Sequence, residues 1–173
     1  AAQLAAAVEE ANRLGGFVGV HAMGEPVTLY AAQAGVASID HATHLSDETI
    51  RLMKQKGIFA VPTCTIFEYF AHHRDTQDQA AAEAQMLDYK ISEFKKQVAA
   101  GVQFAVSSDV GPFPHGTQAR EITLMVQYGM KPLAVLQADL INGAKLLRCD
   151  EGCGEVEPCY FADITAVPGN PLA

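Results

Sequence analysis

Basic residues are scarce in this sequence of 173 residues. It has 12 Lys and Arg against 20 Asp and Glu, which gives a formal net charge of −8. A protein that binds the phosphate backbone of nucleic acids needs a basic face, so this balance argues against a nucleic-acid partner. With 49% hydrophobic and 18% charged residues, the composition is typical of one globular domain with a sizeable core.

Long apolar runs and targeting signals are also missing. No run approaches 18 apolar residues, so we expect no membrane-spanning helix and no membrane partner. The first residues lack the basic segment and apolar core of a signal peptide. Because they resemble the middle of a helix, we expect the chain to begin partway through a longer, cytoplasmic protein.

The four cysteines do not form a C-x-x-C pair. Cys149, Cys153 and Cys159 fall within eleven residues of one another, and Cys64 stands apart. A structural zinc site needs closer paired spacing and a fourth ligand, so a zinc knuckle is only the minor alternative. The main expectation is reduced cysteines in a cytosolic protein.

One pattern occurs four times: a helix, a glycine, a short apolar run and then a polar residue. The apolar runs predict strands at residues 17–21, 36–41, 58–61 and 102–108. Helices are predicted at residues 2–14, 25–34, 46–56, 76–100, 117–128 and 132–147. Residues 64–75 are predicted as a loop or short helix, and residues 159–167 as a possible strand. Because short strands alternate with helices, the predicted fold class is α/β with a parallel sheet.

Two architectures are consistent with this alternation. A (β/α)8 barrel of the TIM type needs roughly 250 residues, so this chain would supply about half of one. A doubly wound open sheet is the alternative. No G-x-G-x-x-G follows any predicted strand, so the usual nucleotide-binding signature of the open sheet is missing.

Metal-capable side chains end three of the predicted strands. His21, His41 and Asp109 stand at the C-terminal ends, where parallel barrels carry their working residues. Imidazoles and carboxylates are zinc ligands, and a bound divalent ion lowers the pKa of its water to about 7. A neighbouring carboxylate can move the proton to the leaving group. The pattern therefore predicts hydrolysis, although a single strand-end histidine is more often a hydrogen-bonded structural residue than a ligand.

Other polar residues near these strands are weaker candidates. Asp40 should point away from His41, because side chains alternate along a strand, so its expected role is structural. His44 is expected in a loop. The remaining histidines are a predicted solvent-facing or lid pair, His72 and His73, and a predicted substrate contact in the loop after Asp109, His115.

Seven short stretches carry a family likeness through their order and spacing. They are VHAMG (20–24), SIDH (38–41), SSDVG (107–111), PHG (114–116), NGAKLL (142–147), ADI (162–164) and GNPL (169–172). Together they resemble the amidohydrolase superfamily, in particular its imidazolonepropionase-like and Xaa-Pro-dipeptidase-like branch. The likeness covers nearly the whole chain and is more specific than any one of these motifs.

This resemblance implies a role for each strand end. His21 would end barrel strand five and His41 strand six, both as metal ligands. Asp109 would end strand eight as metal ligand and proton shuttle. The implied cofactor is one or two divalent ions, with zinc as the expected metal. The implied reaction is hydrolysis of amide or peptide-like C–N bonds by a metal-bound hydroxide. The residues expected to border a small-molecule or dipeptide-like substrate are His115, Met23 and Tyr69.

The sequence also departs from the family pattern. It has no H-x-H pair of the first strand, and the carbamylated lysine that two-metal members carry on strand four is absent. The resemblance therefore implies a C-terminal half, with residues 1–149 as half a barrel and residues 150–173 as a tail that belongs to a small β-sandwich. Half a barrel exposes sheet edges and an apolar interior, which favours a homo-oligomer.

Two other functions stay open at this point. The chain could be a non-catalytic, self-associating barrel fragment that lacks the full metal site. It could also be a barrel enzyme of unrelated chemistry that uses the two histidines as acid and base. Stoichiometric bound zinc would argue against the second of these, and a metal-free, inactive oligomer would support the first.

Overall fold

The computed structural model describes residues 1–73 and 76–172. Its helices are α1 (Ala2–Arg13), α2 (Val27–Ala34), α3 (Asp47–Lys56), α4 (Cys64–His72), α5 (Gln77–Ala99), α6 (Arg120–Gln127), α7 (Pro132–Gln137) and α8 (Gly143–Leu146). Its strands are β1 (Gly19–Met23), β2 (Ser38–Thr43) and β3 (Phe59–Val61). Arg74 and Asp75, from the segment predicted as a loop or short helix, lie outside the described residues. No helix within the described ranges has both the length and the apolar character needed to cross a membrane.

The three strands form one parallel sheet in the order β1-β2-β3. Gly19 lies opposite Ser38 in the first pair, and Ser38 lies opposite Phe59 in the second. Helices connect consecutive strands, as parallel pairing requires. The predicted α/β class with a parallel sheet is confirmed. Because the strands run in one direction, their C-terminal ends meet at one edge.

The predicted fourth strand, at residues 102–108, is wrong in its extent. Only Phe104 pairs with β3, as an isolated parallel bridge to Ala60. The Ala60 N–H donates to the Gln103 carbonyl at 2.8 Å, and the Ala105 N–H donates to the Ala60 carbonyl at 3.1 Å. β3 has three residues, so it offers too few backbone partners for a longer ladder. The bridge nevertheless places this segment beside β3 and carries the chain toward Asp109.

The predicted helix at residues 132–147 forms in three parts. A π-helical turn, Ala138–Asn142, separates α7 from α8. Within this turn the Asn142 side chain donates from Nδ2 to the carbonyl of Phe104 at 2.8 Å. The turn therefore connects the last helices to the segment that carries Asp109.

The tail after α8 contradicts two expectations. The possible strand at residues 159–167 does not form, and Val156, Phe161 and Ile164 are 85%, 76% and 70% exposed. Cys149 and Cys153 are joined in a disulfide with a Cα–Cα distance of 5.8 Å, because the turn after α8 brings them within bridging range. The expectation of reduced cysteines is therefore wrong for this pair; the free cysteines are the buried Cys64 and the exposed Cys159.

Helix α5 covers the end of β2 and packs Phe94 into the core. Its apolar stripe packs inward, with Phe94 fully buried and its ring 5.1 Å from that of Phe104. The N-cap of the helix is Thr76, whose hydroxyl accepts from the Gln79 N–H at 3.3 Å. This packing brings the polar side chains of α5 next to the loop that follows β2.

Candidate metal centre

A cavity of about 490 Å³ runs along one face of the sheet to its C-terminal edge; we call it the strand-end cavity. Its polar lining consists of Ser38, Asp40, Thr63, Ser107 and the three predicted ligands His21, His41 and Asp109. Its apolar lining includes Phe17, Val61, Leu146 and Leu147. A cleft of this volume is within the range of small-molecule sites.

The three predicted metal ligands meet at the edge of this cavity. Nε2 of His41 lies 2.8 Å from Nδ1 of His21 and 3.9 Å from Oδ2 of Asp109. The two imidazole rings are edge-on, with centroids 4.3 Å apart and planes inclined at 80°. His41 is buried, whereas His21 and Asp109 are exposed. The trio therefore has one buried anchor and one side that is open to solvent.

Left-handed backbone bends the chain near the end of β2, just after β3 and at Asp109. The φ angles of His41, Thr63 and Asp109 are 65°, 51° and 55°. Residues with a Cβ atom seldom adopt this conformation, and such residues cluster at functional sites. The bend corrects the expectation for Asp40, which lines the same cavity as His41 instead of pointing away. Alternation of side chains requires extended backbone, and His41 departs from it.

The hydroxyl of Thr63 determines which nitrogen of His41 carries the proton. The Thr63 hydroxyl donates its hydrogen to the Pro62 carbonyl at 2.8 Å. Toward Nδ1 of His41, which lies 2.7 Å away, it can therefore only accept a hydrogen bond. Nδ1 of His41 must then carry the proton and donate it. Burial, followed by the neighbouring imidazole of His21, lowers the pKa of His41, so its ring is neutral near pH 7. The lone pair of Nε2 therefore faces the cavity.

The trio fits a divalent ion in the chemistry of its donors. Neutral imidazole nitrogens and a carboxylate oxygen are ligands that zinc accepts. The 2.8 Å separation of the two nitrogens is that of a hydrogen bond, whereas two nitrogen ligands of one tetrahedral zinc ion stand roughly 3.3 Å apart. In residues 1–73 and 76–172, no group of three His, Cys, Asp or Glu side chains already has metal-site spacing. The donors of the trio therefore fit the ion in their chemistry, whereas their spacing is that of a hydrogen-bonded pair.

The predicted substrate contacts are not brought together with the trio. Tyr69, on α4, lines a second cavity of about 290 Å³, where His73 stacks on its ring at 4.2 Å and Phe113 lies 5.7 Å away. Met23 ends β1 and His115 lies in the loop before α6. Both are exposed, and neither belongs to the lining of the strand-end cavity within the described part of the chain.

The other histidines near the strand ends also lie apart from the trio. The ring of His44 hydrogen-bonds to the hydroxyl of Tyr89 and lies near parallel to its ring, with a 6.1 Å separation. This contact holds His44 against α5. His72 is exposed at the end of α4 and borders the same second cavity as Tyr69.

Three side chains of α5 bind the backbone at the end of β2 and just after it, contacts that the sequence pattern did not predict. We call them the α5 clamp: Lys90, Gln97 and Lys96 donate to the carbonyl oxygens of His41, Ala42 and Leu45, respectively. The Gln97 bond is 2.6 Å and the Lys96 bond 3.1 Å. Lys90 and Gln97 are completely buried.

A signal for this clamp was present in the sequence. Lys90 precedes Phe94 by four residues and Gln97 follows it by three, so all three share the core-facing stripe of α5. The lysine side chain lies over the ring of Phe67, with its Nζ 5.2 Å from the ring centroid. Burial lowers the pKa of Lys90. A lysine on the apolar face of a helix is thus a recognisable candidate for a structural role at a site.

Comparison with known proteins supplies the family. The whole chain, residues 1–173, matches the model of the amidohydrolase family. The chain belongs to the amidohydrolase family. The predicted resemblance is therefore confirmed.

Individual amidohydrolases are similar along 78% to 98% of the chain. Ochratoxinase from Aspergillus niger is 30% identical over 175 residues, which cover 98% of this chain and 36% of ochratoxinase. An imidazolonepropionase from Brevibacillus brevis is 29% identical over 140 residues, covering 78% of this chain and 28% of that protein. A crystal structure of a Xaa-Pro dipeptidase with methionine in its active site matches with a TM-score of 0.89 at 33% identity, covering 98% of this chain and 43% of the other. The chain spans less than half the length of these relatives.

Proposed function

We propose that the protein is a metal-dependent hydrolase that cleaves peptide-like C–N bonds. We also propose that this chain forms the C-terminal half of its (β/α)8 barrel. The observation that carries the proposal is the meeting of Nδ1 of His21, Nε2 of His41 and Oδ2 of Asp109 at one sheet edge. Family membership supports it. The partial coverage of longer relatives supports the half-barrel, and the likeness to a Xaa-Pro dipeptidase supports a dipeptide-like substrate.

His21, His41 and Asp109 would hold the ion, for which we propose zinc. A divalent ion bound there supplies a Lewis acid that acidifies water and polarises a carbonyl group. The contact from Thr63 keeps Nε2 of His41 free of a proton, which leaves it available as a ligand. The Asp109 side chain is 52% exposed, so it can take a proton from water and return it to the leaving nitrogen.

Substitution of Asp109 by Asn in the natural full-length protein tests this role. We expect turnover of dipeptide substrates to fall by about 10²- to 10⁴-fold, because the amide cannot accept and return the proton. Circular dichroism should show an unchanged fold. The matched control is Asp88→Asn, at an exposed position on α5, which should leave turnover unchanged. Full activity of the Asp109→Asn enzyme would reject the proposed role.

Exposed apolar side chains favour a second candidate function, a non-catalytic, self-associating protein. Leu133, Leu140, Val156, Phe161 and Ile164 line one further cavity of about 510 Å³, and each is more than half exposed. Such surface favours burial against another chain. Elemental analysis combined with gel filtration separates the two functions. A metal-free oligomer without hydrolytic activity would support association, and stoichiometric zinc with turnover would support the hydrolase.

A further inference from the structure

We infer that the α5 clamp positions His41: Lys90 and Gln97 hold the backbone at the end of β2 in its left-handed path and so aim the imidazole at His21. The inference rests on the proposed metal site. It assigns Lys90 and Gln97 as positioning residues, which act through His41 and not on the substrate.

The sheet alone does not hold this part of β2. Its pairing with β3 ends at Asp40, which lies opposite Val61. On the other side the register shifts, because Ala22 lies opposite His41 while the next residue of β1 lies opposite Thr43. Ala42 is therefore the extra residue of a bulge, and bulges re-aim side chains next to functional sites. Side chains from α5 bind the backbone at this point.

The bulge has a backbone that these residue types disfavour. The φ angles of His41, Ala42 and His44 are 65°, 47° and 58°, and such values persist only where surrounding contacts over-determine them. Lys90 and Gln97 provide those contacts. A buried ammonium or amide group without an acceptor is costly, so both donors favour the backbone path that presents the carbonyl oxygens of residues 41 and 42.

Gln97 shows how specific this contact is. Its Nε2 donates to Ala42, whereas its Oε1 is buried and has no hydrogen-bond partner within the described part of the chain. A glutamine in the core with only one of its two polar atoms satisfied is poorly explained by stability alone. The hydrogen bond to the Ala42 carbonyl is therefore the interaction that explains why Gln97 is buried here.

The direction of the His41 ring follows from its backbone. The ring is held by Thr63 at Nδ1 and packs edge-on against Phe67, with centroids 5.9 Å apart. If the donor to the His41 carbonyl is removed, residue 41 can relax toward negative φ, which rotates its Cβ and carries Nε2 away from Nδ1 of His21. The metal site then loses its buried ligand without any change to the ligand side chains themselves.

Zinc titration of the metal-free, natural full-length protein tests this positioning role. Lys90→Met keeps the length of the side chain and removes its donor. We expect zinc affinity to fall by about 10- to 100-fold, as is typical when an outer contact of a metal ligand is lost. The matched control is Lys95→Met, exposed on the same helix, which should stay within about twofold of the wild type.

A double variant separates positioning from general destabilisation. If Lys90 acts through His41, Lys90→Met should cause no further loss of zinc affinity in a His41→Ala background. The same loss in both backgrounds would overturn the inference. If Lys90→Met does not fold, the zinc affinity of Gln97→Met is measured instead. We expect it to be weaker than that of the wild type, and an unchanged affinity would overturn the inference. A wild-type protein that binds no zinc would instead reject the proposed function, whereas normal binding by wild type and both variants would reject only the positioning role.

Discussion

At the scale of single residues, the hydroxyl of Thr63 should strongly affect how the site binds metal, because it accepts a hydrogen bond from Nδ1 of His41. Thr63→Val leaves the Nδ1–H of His41 buried without an acceptor. The proton of the neutral ring is then no longer fixed on Nδ1 and can move to Nε2. We expect zinc affinity and turnover each to fall by about 10- to 100-fold. Thr63→Ser keeps the hydroxyl and should retain both. Zinc titration with steady-state kinetics measures the effect, and a valine variant equal to wild type would contradict the assignment of the proton.

Single residues also show where sequence reasoning succeeds. The strand-end pattern selects His21, His41 and Asp109, and the structure brings these three side chains together; their metal role stays a prediction. The pattern could not show the left-handed φ angles of His41 and Asp109, because a non-glycine residue adopts them only when surrounding contacts impose them. For the same reason Asp40 was placed on the wrong face.

At the scale of elements, the π-helical turn between α7 and α8 contains a half-buried acid. Burial is the cause that raises the pKa of Asp139 above its ordinary value of 3.8. A carboxyl with a raised folded-state pKa contributes most to stability below pH 3.8, and this contribution is lost as pH rises through the folded-state pKa. At neutral pH the buried charge therefore costs stability.

This cost predicts a pH-dependent difference between wild type and Asp139→Asn. The variant should unfold at a higher temperature than wild type at pH 7, and the difference should shrink as pH falls toward 3.8. Thermal unfolding followed by circular dichroism across this range measures it. A difference that is the same at every pH would show that the substitution acts through packing and not through the carboxyl charge.

Elements differ in how well their sequence predicts them. Predicted helices agree with the observed ones to within a few residues, because caps such as Ser46 and Gly57 are local: the Ser46 hydroxyl accepts from the Thr49 N–H at 3.1 Å, and Gly57 has a φ of 68°. A strand needs a partner of matching length. The segment at residues 102–108 was predicted too long because β3, and not its own sequence, limits its pairing.

For the molecule as a whole, metal binding and stability should be coupled. An ion that binds only the folded protein stabilises it by about 2.7 kcal/mol at a free concentration of 100 times Kd, which corresponds to roughly 5–10 °C in the thermal midpoint. A chelator should lower the midpoint by this amount and added zinc should restore it. Asp109→Asn should respond less. A midpoint that ignores both chelator and zinc would favour the non-catalytic alternative.

The fold class, the family and the disulfide differ in how far the sequence predicts them. The alternation of helices with short apolar runs was enough for the α/β class, since it reflects burial of a sheet by helices. The order of seven short motifs was enough for the family. The disulfide between Cys149 and Cys153 was not predictable, because it depends on how the turn after α8 folds back and not on cysteine spacing alone.

The left-handed strand ends change which substitutions count as conservative. At most positions alanine is the gentle replacement and glycine the disruptive one, since glycine loosens the backbone. At His41, Thr63 and Asp109 the order is reversed, because glycine accepts positive φ without strain and alanine does not. Substitutions at this edge of the sheet therefore measure two separate effects. A glycine variant loses only the chemistry of the side chain. An alanine variant also pays the conformational free energy of a positive φ, which only the native contacts sustain.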